Sequence, residues 1–177
     1  MIATIKQDEA VPAAYPATPS GLSVAAAALA PSVIWQRIEA YVSARWTARA
    51  VIWTVEGCGE WVPLLTPATI AATAQWTGTA WEAFTPDPSP LGGYDLPEGT
   101  YRFTGTVGSG TVPETVNEAF RRLAEYLAAD RETPGATVEH VSIPGINLDF
   151  RRDAAWTAQA MINSGAADLL RPYRRAA

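Results

Sequence analysis

Residues of the types that most often perform acid–base or nucleophilic chemistry are scarce in this sequence of 177 residues. It has one histidine, His140, in the strand-like stretch VEHVS, and one cysteine, Cys58, between two glycines. A general base or a thiol nucleophile needs a partner group within hydrogen-bond reach, and neither residue lies in a recognisable nucleophile motif. We therefore interpret His140 as a surface or structural histidine and Cys58 as a turn residue.

The sequence motifs for phosphate binding, glycoside hydrolysis and zinc binding are also incomplete. The Gly-Ser-Gly of residues 108–110 lacks the spacing and the lysine of a phosphate-binding loop, and its glycines are better explained as a turn between a strand and a helix. Glu139, Asp149 and Asp153 are scattered carboxylates without the pairing of a glycosidase site. One cysteine and one histidine cannot form a four-ligand structural zinc site within one chain. We expect a protein that is not an enzyme and has no metal or other cofactor.

Seven tryptophans are many for this length. Four of them, Trp53, Trp61, Trp76 and Trp81, fall in strand-like segments, where indole rings either stack on sugars or fill a core. No pattern of paired acids and amides accompanies them, so we favour a core or an interface between subunits. A carbohydrate-binding module is the alternative.

The charge balance limits the classes of partner. A formal net charge of −5 and a pI near 4.9 argue against a general nucleic-acid-binding surface. The apolar run LSVAAAALA is too short to span a bilayer, and the acidic Asp8 and Glu9 before it are unlike the basic start of a signal peptide. The sequence predicts a soluble, cytoplasmic protein with one domain, or one domain and an appendage.

Three segments have helical periodicity. In SVIWQRIEAYVSARW, residues 32–46, apolar side chains recur every three or four positions, and Ser32 is the expected N-cap. A second helix is predicted over 113–131, with Pro113 in its first turn and a stop at Pro134 and Gly135. A third is predicted over 152–163. The apolar stripes of the first two helices are Ile34, Trp35, Ile38, Val42 and Trp46, and Val116, Phe120, Leu123 and Leu127.

The exposed side of the 113–131 helix is charged. Glu118 with Arg122, and Arg121 with Glu125, are four residues apart, so each pair is expected to form an ion pair of about 0.2–0.5 kcal/mol.

Residues 47–107 have the shorter period of strands. We predict strands in RAVIWTVEG and EWVPLL, a hairpin about Gly78, and a loop in TPDPSPLGGYDLPEG. A final strand should bury Tyr101, Phe103 and Val107 on one face. The predicted fold class is α+β, with a small helical core and a strand-rich, tryptophan-rich insertion at 47–107. The predicted organisation is a flexible alanine- and proline-rich arm at 1–30, a single domain at 31–164 and a C-terminal tail at 165–177.

Residues 101–132, YRFTGTVGSGTVPETVNEAFRRLAEYLAADRE, resemble the head–tail connector (adaptor) proteins of long-tailed phages and of phage-derived gene transfer agents. In that family a strand ending in glycine is followed by a short gap, a Val-Pro pair and an apolar-striped helix that ends near Arg-Glu. The C-terminal SGAADLLRPYRR resembles the family's closing segment. The matching residues are Gly105, Gly108, Val112, Pro113, Val116, Ala119, Leu123, Tyr126, Arg131 and Glu132, and then Leu169, Leu170, Pro172, Tyr173 and Arg174.

The resemblance implies a structural virion protein that acts by assembly. Such an adaptor forms a ring, expected to be a dodecamer, beneath the portal protein, contacts a stopper or tail terminator, and surrounds a channel through which DNA passes without sequence-specific binding. It would be located in the neck of the virion, and in the host cytoplasm during assembly. The predicted lateral contacts of the ring are Glu118, Arg121, Arg122 and Glu125. The predicted portal-docking tail is Leu169, Leu170, Arg171, Pro172, Tyr173, Arg174 and Arg175.

Departures from the commoner family pattern leave the layer of the neck open. The N-terminus has an alanine- and proline-rich arm in place of a longer acidic helical pair, and the strand-rich middle is heavier than in compact relatives. A stopper or a tail terminator is therefore an alternative within the neck.

Overall fold

The chain folds as two compact units that alternate along the sequence. The structure, a computed structural model, describes residues 1–90, 92–129, 138–143, 146–151 and 158–174, with the backbone alone described at 138–143 and 146–151. The first unit comprises Met1–Pro16, Ser43–Thr111 and Tyr173–Ala177, and the second comprises Ala17–Val42 and Val112–Pro172. Helices and antiparallel sheets are both present, so the predicted α+β class is confirmed.

The first unit is built on a six-stranded sheet. Its strands pair antiparallel in the order β1-β2-β6-β3-β4, and β5 pairs with the start of β6. The strands are β1 (Ala3–Glu9), β2 (Arg49–Trp61), β3 (Ala68–Trp76), β4 (Trp81–Ala83), β5 (Asp87–Pro88) and β6 (Tyr94–Val107).

Alternation along the two long central strands forms the core of this unit. Val51, Trp53 and Val55 of β2 are buried while the residues between them face outward, as period-2 patterning requires. Tyr101 and Phe103 of β6 lie opposite Val55 and Trp53 and are fully buried. The prediction for this face of β6 is therefore confirmed.

The N-terminal residues are part of the sheet. Where the sequence predicted an arm with little structure at 1–30, residues Ala3–Glu9 pair with β2 as an edge strand, and a short helix follows at Val24–Ala27. The polar sequence ATIKQDE has no apolar alternation to reveal a strand, because its attachment depends on backbone and polar side-chain contacts. The boundaries predicted at residues 30 and 164 also differ from the boundaries of the two compact units, which fall after residues 16, 42, 111 and 172.

Two details of the strand region also differ from prediction. The predicted loop at 85–99 contains β5 and the first residues of β6. Cys58 lies inside β2, where the pairing with β6 shifts register between Gly57 and Gly59, so it is a bulge residue and not a turn residue. The hairpin about Gly78 is confirmed by the pairing of β3 with β4.

The second unit contains the helices and a separate two-stranded hairpin. Gly165, in the left-handed region at φ 73°, separates the last two helices. The elements are α1 (Val24–Ala27), α2 (Pro31–Tyr41), α3 (Glu114–Ala128), β7 (Val138–Ile143), β8 (Ile146–Arg151), α4 (Ala160–Asn163) and α5 (Ala166–Leu170), followed by a 3-10 turn at Arg171–Tyr173.

The helix ends differ from those predicted. Pro31 occupies the first turn of α2 and Ala30 is its N-cap, so Ser32 does not cap it. The helix ends at Tyr41 because Val42 is extended, although Val42 and Trp46 are buried as the stripe predicted. Pro113 is the N-cap of α3. Of the helix predicted over 152–163, only Ala160–Asn163 is a described helix, and residues 152–157 lie outside the described residues.

The apolar stripes of α2 and α3 form the core of the helical unit. Trp35 and Phe120 meet with ring centroids 4.9 Å apart, and both side chains are buried. Ile34, Ile38, Val116 and Leu123 are also buried.

Candidate assembly surfaces

The connection between β6 and α3 requires glycine. Gly108 has φ 91° and Gly110 has φ 89°, a region that residues with a Cβ rarely adopt. A Cβ at position 108 would lie 2.3 Å from the carbonyl oxygen of Thr47, whereas a Cβ at position 110 would meet nothing within 4 Å. The predicted role of this Gly-Ser-Gly as a turn from strand to helix is confirmed.

Charged side chains on one face of α3 form a small network centred on Glu118. Arg121 Nε donates to one carboxylate oxygen at 3.0 Å and Arg122 Nε donates to the other at 2.9 Å. The hydrogen bonds from Arg122 and then Arg121 hold the pKa of Glu118 below its usual range. The predicted pair of Glu118 with Arg122 is therefore confirmed.

Glu125 has a different partner from the one predicted. Its carboxylate accepts hydrogen bonds from the backbone N–H of Ser23 at 2.7 Å and from the Ser23 hydroxyl at 2.8 Å. Ser23 is in turn the N-cap of α1, where its hydroxyl oxygen accepts from Ala26 N–H. The predicted ion pair between Arg121 and Glu125 is wrong, because Glu125 holds the start of α1 on α3 while Arg121 turns toward Glu118.

The C-terminal segment is folded onto its own chain. Leu170 is fully buried in the helical unit, and Leu169 is half-buried. The carbonyl of Tyr173 accepts hydrogen bonds from the backbone N–H and the hydroxyl of Ser43, each at 3.1 Å, and its ring lies 6.1 Å from that of Trp46. Among the predicted docking residues, Arg171, Pro172 and Arg174 are the exposed ones, and Arg175 lies outside the described residues.

The two segments that carry the sequence resemblance are neighbours in the helical unit. α4 and α5 both pack against α3, and Asn163 Nδ2 donates to the hydroxyl of Tyr126 at 3.1 Å. Ala166 and Leu170 of α5 are fully buried. The arrangement brings together the helix after the Val-Pro pair and the closing segment, which are separated by more than thirty residues of sequence.

Sequence reasoning missed one buried ionic cluster in the sheet unit. The carboxylate of Glu9 accepts from Arg45 Nε at 2.6 Å and from Arg49 Nη1 at 3.2 Å. The side chains of Arg45 and Arg49 are only 8% and 3% exposed, and the Arg49 guanidinium also lies over the ring of Tyr15 at 5.7 Å. No local pattern joins Glu9 to arginines so distant in sequence.

The tryptophans of the sheet have two kinds of environment. Trp53 and Trp61 are buried in the core, where Trp61 stacks on Phe103 at 4.2 Å. Trp76 is 41% exposed and is tilted by 55° against Trp81, while the Arg102 guanidinium lies 4.6 Å from the Trp81 ring. Two of the four indoles proposed as a sugar platform are therefore core residues.

Among the described residues, those considered for catalysis are not grouped into a catalytic site. His140 lies opposite Asp149 in the β7–β8 register, next to the pair of Glu139 with Phe150, and Asp153 lies outside the described residues. Cys58 is exposed. Burial, and then the nearby Cys58, raise the pKa of the Tyr101 hydroxyl, which donates to the carbonyl of Pro97 at 2.8 Å.

Within the described ranges, no group of three histidine, cysteine, aspartate or glutamate side chains is placed to hold a metal ion. None of the helices in the described part of the chain combines the length and the apolar composition needed to cross a bilayer.

Comparisons of the chain with protein-family models, with curated proteins and with solved structures gave no match.

Proposed function

We propose that this chain is a structural virion protein, a head-to-tail adaptor that forms a ring beneath the portal, joins the capsid to the tail and surrounds the DNA channel. The observation that carries the proposal is the packing of α4 and α5 against α3. These elements contain the two segments that resemble the connector family. Their contact makes one continuous surface from residues that are far apart in sequence.

The two units have separate roles in this proposal. The helical unit, with α2, α3 and the C-terminal helices, is the connector core. The strand-rich, tryptophan-rich segment at 47–107 is an insertion into it, and its sheet is completed by β1. The protein acts by holding neighbours at fixed angles and performs no turnover, so it uses no cofactor.

The ring is a homo-oligomer, expected to be a dodecamer, closed by one repeated heterologous interface. The Glu118 network on α3 supports a lateral contact, because its carboxylate and both guanidinium groups are half-exposed and already oriented. Glu125 contributes indirectly, since it fixes Ser23 and with it α1 on the same helix.

The portal lies on one side of the ring and a stopper or tail terminator on the other. Arg171 is the residue best placed to meet the portal: its side chain is 80% exposed and its partner, Asp168, is 77% exposed. Leu169 and Leu170 support this surface from within the fold, which changes their role from direct docking to positioning. The acidic chain would not retain DNA phosphates as a basic channel would. The ring is assembled in the host cytoplasm and remains in the virion neck.

Co-sedimentation with the purified portal protein of the same genome tests the proposal. Deleting residues 165–177 would remove the buried Leu170, so charge reversals on the folded surface are the sharper variants. We expect Arg171→Glu combined with Arg174→Glu to weaken portal binding by about tenfold or more, the scale of losing charged contacts at an interface. Gln36→Glu combined with Thr106→Glu, which adds acidic charge at two exposed positions outside β1 and outside the C-terminal segment, is the control and should bind normally.

Two outcomes count against the proposal. Unchanged binding by the Arg171/Arg174 variant removes the docking surface. Absence of portal binding by the parent chain removes the adaptor function itself.

A further inference from the structure

The edge of β2 recognises β1 through buried donors. The indole N–H of Trp53 donates to the side-chain oxygen of Gln7 at 2.8 Å, and that of Trp61 donates to the hydroxyl of Thr4 at 2.9 Å. Both tryptophans are almost fully buried, so each indole N–H needs this acceptor to avoid the cost of an unsatisfied buried donor. The strand beside β2 must therefore carry acceptors at these two positions.

The last residue of β1 must also carry a negative charge. Glu9 accepts hydrogen bonds from Arg45 and Arg49, whose side chains are 8% and 3% exposed. Removing one member of a buried charged cluster leaves uncompensated charge, which is costly. The β2 edge thus selects an extended segment with the acceptor pattern of Thr4, Gln7 and Glu9.

β1 itself contributes little apolar packing. Its residues are exposed except Thr4 and Glu9, which are half-buried. Ile5, which lies at a register shift in the pairing with β2, is 60% exposed. Its attachment consists mainly of backbone pairing and the polar contacts above. An identical strand from another copy of the chain would make every one of these contacts equally well.

The segment after β1 is long and has no regular secondary structure, although Pro12 is buried and Tyr15 lies beneath Arg49. Residues 10–22 form no described helix or strand and include Pro12, Pro16 and Pro19, and an extended chain of this length reaches about 40 Å. Exposed apolar side chains are also frequent in the first 33 residues, in β1, the segment after it, and the first two helices. Among the described residues, five of the eight exposed large apolar side chains lie there: Met1, Ile5, Val11, Val24 and Val33.

We infer that β1 is an exchanged strand: in the assembled protein the β1 strand of one copy pairs with β2 of a neighbouring copy. Exchange of β1 lets a lateral contact between copies use the hydrogen bonds and ion pairs that already join β1 to β2. The inference deepens the proposed function and rests on the self-association proposed there.

Isotope mixing with a site-specific disulfide tests the exchange. Asp8 and Ile52 are register partners with exposed side chains, so Asp8→Cys and Ile52→Cys in a Cys58→Ser background should cross-link β1 to β2. ¹⁴N and ¹⁵N chains are unfolded together, refolded at high concentration and oxidised, and the linked peptides are analysed by mass spectrometry. Complete exchange gives mixed-isotope links in about half of the cross-links, as random pairing of copies requires.

Ala50→Cys with Thr106→Cys in the same background is the matched control. These residues are exposed register partners on β2 and β6, strands that stay within one copy, so their links should all be of a single isotope. Single-isotope links for the Asp8–Ile52 pair as well would overturn the exchange. That result would leave portal binding untouched, whereas mixed links in a protein that does not bind the portal would leave the exchange standing and remove the adaptor function.

Discussion

Phe103 is packed between two aromatic rings in the core of the sheet unit. Its ring stacks on Trp61 at 4.2 Å and lies 5.2 Å from the ring of Tyr94. The alternation of TYRFTGTV predicted that this side chain is buried, because a strand with one covered face repeats every two residues. The neighbours themselves were not predictable, since Trp61 belongs to another strand whose register is set by the bulge at Gly57 and Gly59.

We expect Phe103→Ala to destabilise the protein by about 3–5 kcal/mol, the usual cost of truncating a buried phenylalanine. Thr104→Ala on the opposite face of β6 is the control and should change the free energy of unfolding by less than about 1 kcal/mol. Urea denaturation followed by circular dichroism measures both. Similar effects for the two variants would contradict the assignment of the buried face.

Glu118 provides a prediction about pH. Because its pKa is lowered in the folded state, its ion pairs stabilise the protein at neutral pH, and this contribution is lost as the pH falls through the folded-state pKa. Glu118→Gln should therefore cost about 0.3–0.5 kcal/mol at neutral pH, as for other exposed helical pairs. The difference from the parent should shrink below the usual pKa range of glutamate and also in high salt. A difference that is constant with pH would show that the carboxylate charge is not responsible.

At the scale of the elements, local sequence signals predicted most of the central strands and α3. Their strong periodicity and the glycines between them act over a few residues. The end of α2, the start of β6 and the strand β1 were not predicted, because each depends on partners distant in sequence. Glu9, for example, meets Arg45 and Arg49 only after the sheet has formed.

The glycines between β6 and α3 allow a matched comparison. Gly108→Ala combines a positive φ with a Cβ that would lie 2.3 Å from the Thr47 carbonyl, so the backbone must move. Gly110→Ala has the same backbone strain, about 1–2 kcal/mol, in open space. We expect Gly108→Ala to lower the midpoint of urea unfolding clearly more than Gly110→Ala. Equal effects would mean that close packing at Gly108 is not required.

The proposed surfaces were predictable only in part. The charge pattern of α3 correctly predicted the pair of Glu118 with Arg122, since helical neighbours follow from spacing alone. The role of Glu125 depends on Ser23, which lies 102 positions earlier. The C-terminal leucines Leu169 and Leu170 were predicted to dock on the portal, whereas Leu170 is buried in its own chain.

At the scale of the whole molecule, the net charge of −5 leads to a prediction about DNA. The proposed role around a DNA channel requires that the chain does not retain duplex DNA, because retention requires clustered cations that displace counterions. We expect no change in the electrophoretic mobility of duplex DNA at physiological salt, with or without the exposed Arg171 and Arg174. A mobility shift that weakens with added salt would contradict this and would indicate a basic surface formed by the fold.

The hydrogen bonds from Trp53 and Trp61 to the first strand give the molecule a spectroscopic reporter. Both indoles lie against residues 4–7, so departure of that strand would bring water to two buried chromophores. Their fluorescence emission should then move to longer wavelength while the helical ellipticity stays constant. With the other indoles replaced by phenylalanine, the rate at which the arm opens becomes measurable by stopped-flow mixing.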